Sequence, residues 1–412
     1  MNRLSLTEDD VEARKWLAHE LRTLECKVDV DELGNMFGRR QGKTPTLAMI
    51  AMGSHLDTQP RGGRYDGILG VLAAVEVLKT LKENGYQTYH DVGIINWTKL
   101  VFLFLVIRWR RANNSPSEEG ARFPKSMMAS GVWAGKITRE EALNLADIFD
   151  SSKTVASELA KFNLAGSTAC SHEANPLLAH FELHIEQGPI LEDTGCKIGV
   201  VEGAQAYKWF TINIQGRDAH TGTTPLCNRS DPVLAASKMI AAAHTMAKGK
   251  GATASVGILK VPKTSSTNTI AAEVTFSLDV RHPDDAVVAS VLDEIFAAFH
   301  TISREDGKGV KVSWTLDTDS PAVKFDKSCI DAVSRAADNV AGKAGWRHIT
   351  SGAGHDSVYT SKHCPTAMIF VPCKNGVSHH PEEFCSPEDW LVNRFLHPCS
   401  VTLRRRILIR TT

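Results

Sequence analysis

Six short stretches of the chain carry side chains able to hold metal through nitrogen and oxygen. In His55-Leu56-Asp57 the HxD spacing, placed in a strand-end loop, lets a carboxylate hold one imidazole nitrogen while the other faces a ligand; the same pattern also occurs as a plain surface pair. Eleven residues on, Asp66 lies in Gly-Gly-Arg-Tyr-Asp-Gly, where glycines allow a sharp turn into a helix. An Asp there can cap the helix, bridge two metals, or do both. Glu118-Glu119 places two carboxylates side by side, which repel unless solvated or bridged by a cation. His184 sits in the strand-like FELHIEQGP, a pattern read as alternating burial, and both SGAGHD (351–356) and GVSHHPEE (376–383) put histidines in loops of small residues. Together these are the imidazole and carboxylate ligands of a two-metal site. Donors of this kind without thiolate suit Zn²⁺, and also Mn²⁺ or Co²⁺. A bridging carboxylate with a free glutamate beside it is what two-metal hydrolysis requires, because the metals acidify a water and the glutamate takes its proton.

The elements that must position these residues read as α/β. An apolar-periodic helix over 7–26 is followed by a β-like stretch, Lys27–Arg39, and the apolar run Leu47–Met52 ends just before Ser54-His55. Gly67–Lys82 reads as a helix and Val92–Trp97 as a buried strand, so SHLDT falls at the carboxyl end of a strand, where α/β sheets gather ligands. The middle of the chain changes character. After a strand at Lys197–Glu202, a strand at Lys208–Gln215, a helix at Asp231–Met246, strands at Ala254–Val261 and Val274–Arg281, a helix at Asp284–His300 and a strand at Val310–Leu316 spell a βαββαβ unit. Helix Lys327–Gly342 and strand Ala367–Pro372 then resume the α/β pattern. The expected organisation is a catalytic domain (1–203 and 318–412), mostly parallel in its central sheet and flanked by helices, interrupted by an α+β lid and dimerisation domain at 204–317.

Composition narrows the function classes. The 412 residues balance 47 Lys+Arg against 47 Asp+Glu, which gives no electrostatic reason to bind nucleic acid or an anionic membrane. The strongest apolar run, Leu100–Ile107, is far shorter than the ~20 residues of a bilayer span. Nine scattered cysteines without a CxxC pair, and no apolar leader, read as reduced thiols in a cytoplasmic protein.

The motifs GSHLDTQPRGGRYDGILGVLA, EEGARFPKSMMASGVWAG, FELHIEQGP, GRDAHTGTTPLCNRSDP, SLDVRHP, SGAGHD and GVSHHPEE, in this order, make the sequence resemble the zinc amidohydrolases of the aminoacylase/carboxypeptidase superfamily. More narrowly it resembles the branch of N-carbamoyl-L-amino acid hydrolases, β-ureidopropionases and allantoate amidohydrolases. The resemblance implies five metal ligands, His55, Asp66, Glu119, His184 and His379, with Asp66 bridging two Zn²⁺ and Asp57 supporting His55. It implies Glu118 as the general base and His220 as an oxyanion-stabilising residue supplied across a homodimer. Gln187, Asn268, Arg281 and His355 would grip a small N-carbamoyl-amino acid, Arg281 through its carboxylate. EEGARF favours the carbamoyl-amide branch over the exopeptidases; allantoate, acylated amino acids and dipeptides are the alternative substrates.

One departure bears on activity. The family pattern runs NWTNEEGARF without a break, whereas here Lys99–Ser117 stands in place of one Asn, with the length and flanking residues expected of a translated intron. The last two dozen residues also leave the family's amphipathic pattern. A chain so interrupted beside its catalytic glutamates is expected to be impaired, and the competing reading is a catalytically silent dimeric binding protein.

Overall fold

The structure is a computed structural model that describes residues 1–44, 48–99, 122–123, 125–262 and 265–389. The chain divides into two compact units, Met1–Gly203 with Lys324–Thr412, and Ala204–Val323.

The first unit is built on a mixed sheet. Its four central strands, Val92–Trp97, Met49–His55, Leu177–Ile185 and Thr366–Val371, are mutually parallel neighbours in that order. Antiparallel strands border them. Met36–Arg40 pairs with Val92–Trp97 and then with Lys27–Val30, while Ile198–Ala204 pairs with Thr366–Val371. The single β stretch expected over Lys27–Arg39 is thus a hairpin. Asp31 turns it by accepting the N–H groups of Leu33 and Asn35, both at 3.0 Å.

Every residue of Met49–His55 and Val92–Trp97 is buried, because helices cover both faces of the sheet. Strand alternation divides the side chains between two layers. Ile50, Met52 and Ile94 join one apolar cluster with Leu17 and Leu21 of helix Glu8–Thr23, with Val77 and Leu78 of helix Ile68–Glu83, and with Val333 of helix Lys327–Ala341. Met49, Ala51, Ile95 and Trp97 join a second cluster with Met128, Trp133 and Leu159. Met128 and Trp133 belong to helix Met128–Trp133 and Leu159 to helix Val155–Phe162, which, like Arg139–Asn144 between them, the sequence pattern did not announce. Strand Leu177–Ile185 corrects one expectation. It is buried on both faces almost throughout and does not alternate, as its central place between two parallel neighbours requires.

The second unit is an antiparallel sheet with Ala206–Gln215 between Glu273–His282 and Lys311–Ser320. Helices Pro232–Gly249 and Asp285–Glu305 bury their apolar stripes, including Met239, Val291, Ile295 and Phe299, against Phe210, Ile212, Phe276 and Leu278. The expected strand Ala254–Val261 is broken into two short pieces, Thr253–Ser255 and Leu259–Lys260. The eight cysteines among the described residues are in no disulfide; Cys227 is exposed and the other seven are buried.

Candidate metal centre

The carboxyl ends of the parallel strands converge on one carboxylate. His55 closes Met49–His55, His184 is the penultimate residue of Leu177–Ile185, and His379 lies in the loop that follows Thr366–Val371. Their three Nε2 atoms surround Asp66. His55 stands 3.4 Å and His184 3.1 Å from Oδ1, and His379 stands 3.1 Å from Oδ2. One oxygen therefore faces two imidazoles and the other faces the third, the arrangement of a carboxylate shared between two ion positions.

Local backbone brings this about. Gly67, at φ 71°, turns the chain into helix Ile68–Glu83, and a Cβ there would lie 2.2 Å from Cε1 and Nε2 of His55. Only glycine lets the start of the helix approach the imidazole so closely. The helix has no side-chain cap, so Asp66 does not fill the capping role that its position suggested. Its carboxylate is directed wholly at the histidines.

Tautomers are set by the backbone. His55 Nδ1 donates to the carbonyl of Asp57 at 2.8 Å and His184 Nδ1 to that of Ile185 at 2.9 Å. The Asp57 carboxylate is farther from His55 Nδ1, at 3.7 Å, so the peptide oxygen provides the nearer support. With Nδ1 carrying the proton, the buried Nε2 of each ring presents a lone pair to Asp66 and has no hydrogen-bond partner among the described residues. Lone pairs facing a carboxylate in a dry site repel unless a cation lies between them, and these donors fit a divalent metal. Burial would raise the Asp66 carboxyl, but where the imidazoles carry a proton on Nε2 in place of a cation, hydrogen bonds from His184, His379 and His55 hold it well below the ordinary value. Burial, reinforced by Lys99, brings His55 down to about 4.

A polar layer backs the histidines. Glu182 accepts Ser54 Oγ at 2.7 Å, and Ser357 through both Oγ, at 2.7 Å, and N–H, at 3.1 Å. His355 is fully buried, 4.7 Å from His184 ring to ring, and its Nε2 pairs with Ser351 Oγ at 2.9 Å. Glu182, His184 and His355 form a second group of close ligand atoms beside His55, Asp66 and His184. Lys99, the first residue of the departing segment, is also buried here, with Nζ 4.0 Å from Asp356 Oδ2. Sequence reasoning did not place Lys99, Glu182 or Glu383 at the site. A Lys inside an aberrant segment and two Glu residues beside obvious histidines carry no distinguishing local signal.

The other expected residues divide into three groups. Gln187 is at the centre: its Nε2 lies 2.8 Å from Ser378 Oγ and 3.1 Å from His379 Nε2. His220, Asn268 and Arg281 belong to the second unit. His220 pairs with Thr269 in a two-stranded ribbon, and Thr221 N–H donates to the Asn268 carbonyl at 2.8 Å, so His220 and Asn268 are neighbours. Arg281 grips Asp279, with Nη2 2.7 Å from Oδ2, and lies over the Tyr207 ring at 5.0 Å. Glu118 and Glu119, with most of the segment 99–117 and the final residues from 390, lie outside the described residues. Just beyond the glutamates, Arg122 is buried in an internal network with Asp147, Glu158 and the carbonyls of Ser5 and Leu6.

An α/β sheet whose strand ends bring three imidazoles to one carboxylate makes a candidate metal centre of the kind that metallopeptidase-like hydrolases use. The sequence pattern of Peptidase family M20/M25/M40 matches residues 115–395, and the chain belongs to this family. It is 36% identical over 391 residues to the N-carbamoyl-L-amino-acid amidohydrolase of Rhizobium meliloti, covering 94% of this chain and 87% of the relative. It is 32% identical over 402 residues to the ureidoglycolate hydrolase of Oryza sativa subsp. japonica, covering 94% and 77%. Among solved structures, an amidase of the hydantoinase/carbamoylase family from Burkholderia multivorans superposes with a TM-score of 0.85 at 36% identity, over 97% of this chain and 92% of that one. The chain is accordingly a hydrolase of carbon–nitrogen bonds in linear amides.

Proposed function

We propose that the chain is a two-zinc amidohydrolase that cleaves N-carbamoyl-L-amino acids or N-carbamoyl-β-alanine to the amino acid, CO₂ and ammonia. The observation that carries this reading is the meeting of His55, His184 and His379 on the two oxygens of Asp66. Three imidazoles and a carboxylate suit Zn²⁺, with Mn²⁺ or Co²⁺ as substitutes. When bound, the ions supply Lewis acidity and a nucleophile from water at neutral pH.

The chain's own residues do the rest. His55, Asp66, His184 and His379 would hold the ions, with Glu119 as the fifth ligand. Glu118 takes the proton of the attacking water and returns it to the leaving nitrogen. His220 and Asn268 stabilise the oxyanion, Arg281 receives the substrate carboxylate, and Gln187 and His355 complete the grip. In this reading the unit 204–323 makes a homodimer and the protein works in the cytoplasm without nucleic-acid or membrane partners. The likeness to the rice enzyme favours a second substrate reading, a ureido acid such as ureidoglycolate or allantoate, within the same chemistry.

Ammonia release from N-carbamoyl-L-amino acids, N-carbamoyl-β-alanine, ureidoglycolate and allantoate separates these readings, with liberation of free amino acid from an N-acetyl amino acid and a dipeptide followed as the control. The proposal expects turnover of a carbamoyl substrate. A metal-loaded chain that cleaves only the acetyl or peptide bond would contradict it.

A further inference from the structure

Two of the ligands at the metal centre come from loops far apart in sequence, and one buried side chain fastens the two loops together. Glu383 is 4% exposed. Its Oε1 accepts the N–H groups of Tyr65, at 2.9 Å, and Asp66, at 3.1 Å. Its Oε2 accepts the hydroxyl of Ser378, at 3.0 Å, and the N–H of His379, at 3.3 Å. Each oxygen thus serves the backbone of one ligand, and the separation of Asp66 from His379 is set by the width of a single carboxylate. Ser378 Oγ also meets Gln187 Nε2 at 2.8 Å, which extends the brace to a third residue of the site.

Among the described residues, nothing else in the vicinity does this for His379. Unlike His55 and His184, which are fully buried on strand ends, His379 is 41% exposed and its backbone sits at φ 58° in a loop. Its Nε2 nevertheless stands 3.1 Å from Asp66 Oδ2. The residue type at 383 follows from the donor count. Four donors converge, and only an ionised carboxylate is acceptor at both ends. A glutamine would point an N–H₂ at one pair of donors, and an aspartate would fall one methylene short. Room for the contact is made by Gly63, where a Cβ would lie 2.0 Å from Glu383 Oε1. The neighbouring residues tighten the joint, with Phe384 edge-on to Tyr65 at 6.0 Å and Glu383 N–H bonded to the His380 carbonyl at 3.0 Å.

We infer that Glu383 is a positioning residue for the outer half of the metal centre, holding His379 against Asp66 so that the second ion is bound. The inference rests on the two-ion reading above. Its effect is graded: the half made by His55, His184 and Asp66 Oδ1 has both imidazoles fixed by the sheet, while in the half made by His379 and Asp66 Oδ2 both ligands hang from the braced loops.

The test is stepwise loading of the purified full chain and of Glu383→Gln with Co²⁺ and Zn²⁺, by chelator competition and by the visible absorption of the Co²⁺ forms. Thermal midpoints of the metal-free proteins are measured alongside. The expected result is near-normal affinity for the first ion, a second ion weakened by about 10–100-fold, and an altered absorption band for the second Co²⁺ only. Ser378→Ala, which removes one of the four bonds and leaves the carboxylate, should shift second-ion affinity in the same direction by a smaller factor. It serves as the decisive variant if Glu383→Gln does not fold. Equal weakening of both ions, or unchanged second-ion affinity and absorption in the folded variant, would overturn the inference. A wild-type chain that takes up two ions with no difference in the variants refutes only the role of Glu383. A wild-type chain that takes up none refutes the two-ion reading and this inference together.

Discussion

His184 presents Nε2 to Asp66 Oδ1 at 3.1 Å while its Nδ1 is spent on the carbonyl of Ile185 at 2.9 Å. The peptide thereby commits the ring to one tautomer and leaves the lone pair at the site. Asp66 supplies the negative charge that makes the surrounding imidazoles a cation site rather than a polar cavity. Asp66→Asn should therefore abolish binding of both ions, with affinities lowered by at least about 100-fold. Metal analysis of the dialysed protein checks this, with circular dichroism to show that the fold persists.

Gly67 lies at φ 71°, with space for no Cβ beside His55. Gly67→Ala carries the left-handed backbone cost of about 1–2 kcal/mol and adds a clash with the ring. The variant should unfold at lower temperature and bind the first ion more weakly. A normal first-ion affinity in a folded Gly67→Ala protein would show that the close approach of the helix is incidental.

Lys99 is a buried cation in a site built for cations. Burial alone would lower its ammonium, but Asp356, Asp66, Glu182 and Asp57 raise it above the ordinary lysine value. In the metal-free protein it offsets part of the carboxylate charge. Lys99→Met should cost about 1–3 kcal/mol of metal-free stability by leaving carboxylates without a counter-charge. The same change should strengthen metal binding by removing a competing positive charge. Melting in chelator and melting with added ions should therefore move in opposite directions relative to wild type.

Asp326 caps helix Lys327–Ala341 by accepting the N–H groups of Ser328 at 2.9 Å and Cys329 at 3.1 Å. Burial works to raise its carboxyl, but the bonds from Ser328 and Cys329 hold it below the ordinary 3.8. A depressed carboxyl contributes stability above the unfolded value and loses it as pH falls through the native one. Asp326→Ala should cost about 1 kcal/mol at neutral pH. The gap between variant and wild type should narrow below pH ~4, as urea melts at several pH values would show.

The residues of the centre were legible where chemistry and local backbone coincide. His55 follows an apolar run, Asp66 lies between glycines, and His184 and His379 sit in motifs whose order specifies the family. The supporting roles were harder to read. The tautomer of His55 is fixed mainly by a peptide oxygen, which sequence cannot distinguish from the nearby Asp57 carboxylate. Glu383 gains its meaning only when two loops 318 positions apart meet. The burial of Leu177–Ile185 follows from its place between parallel neighbours, a tertiary fact that overrides the appearance of alternation. The βαββαβ pattern of the middle unit was readable because its helices and strands keep their own periods, as the buried series Val274, Phe276, Leu278 and Val280 shows.

The most direct measurement titrates the metal-stripped protein with Zn²⁺ and follows bound metal and ammonia release from an N-carbamoyl-L-amino acid in the same samples. It is run on the full chain and on a form in which residues 99–117 are replaced by Asn. The account predicts that ammonia release requires metal and reaches its plateau at two ions per chain, with the shortened form the faster. Release that persists without metal would contradict it, as would two bound ions with no ammonia from either form.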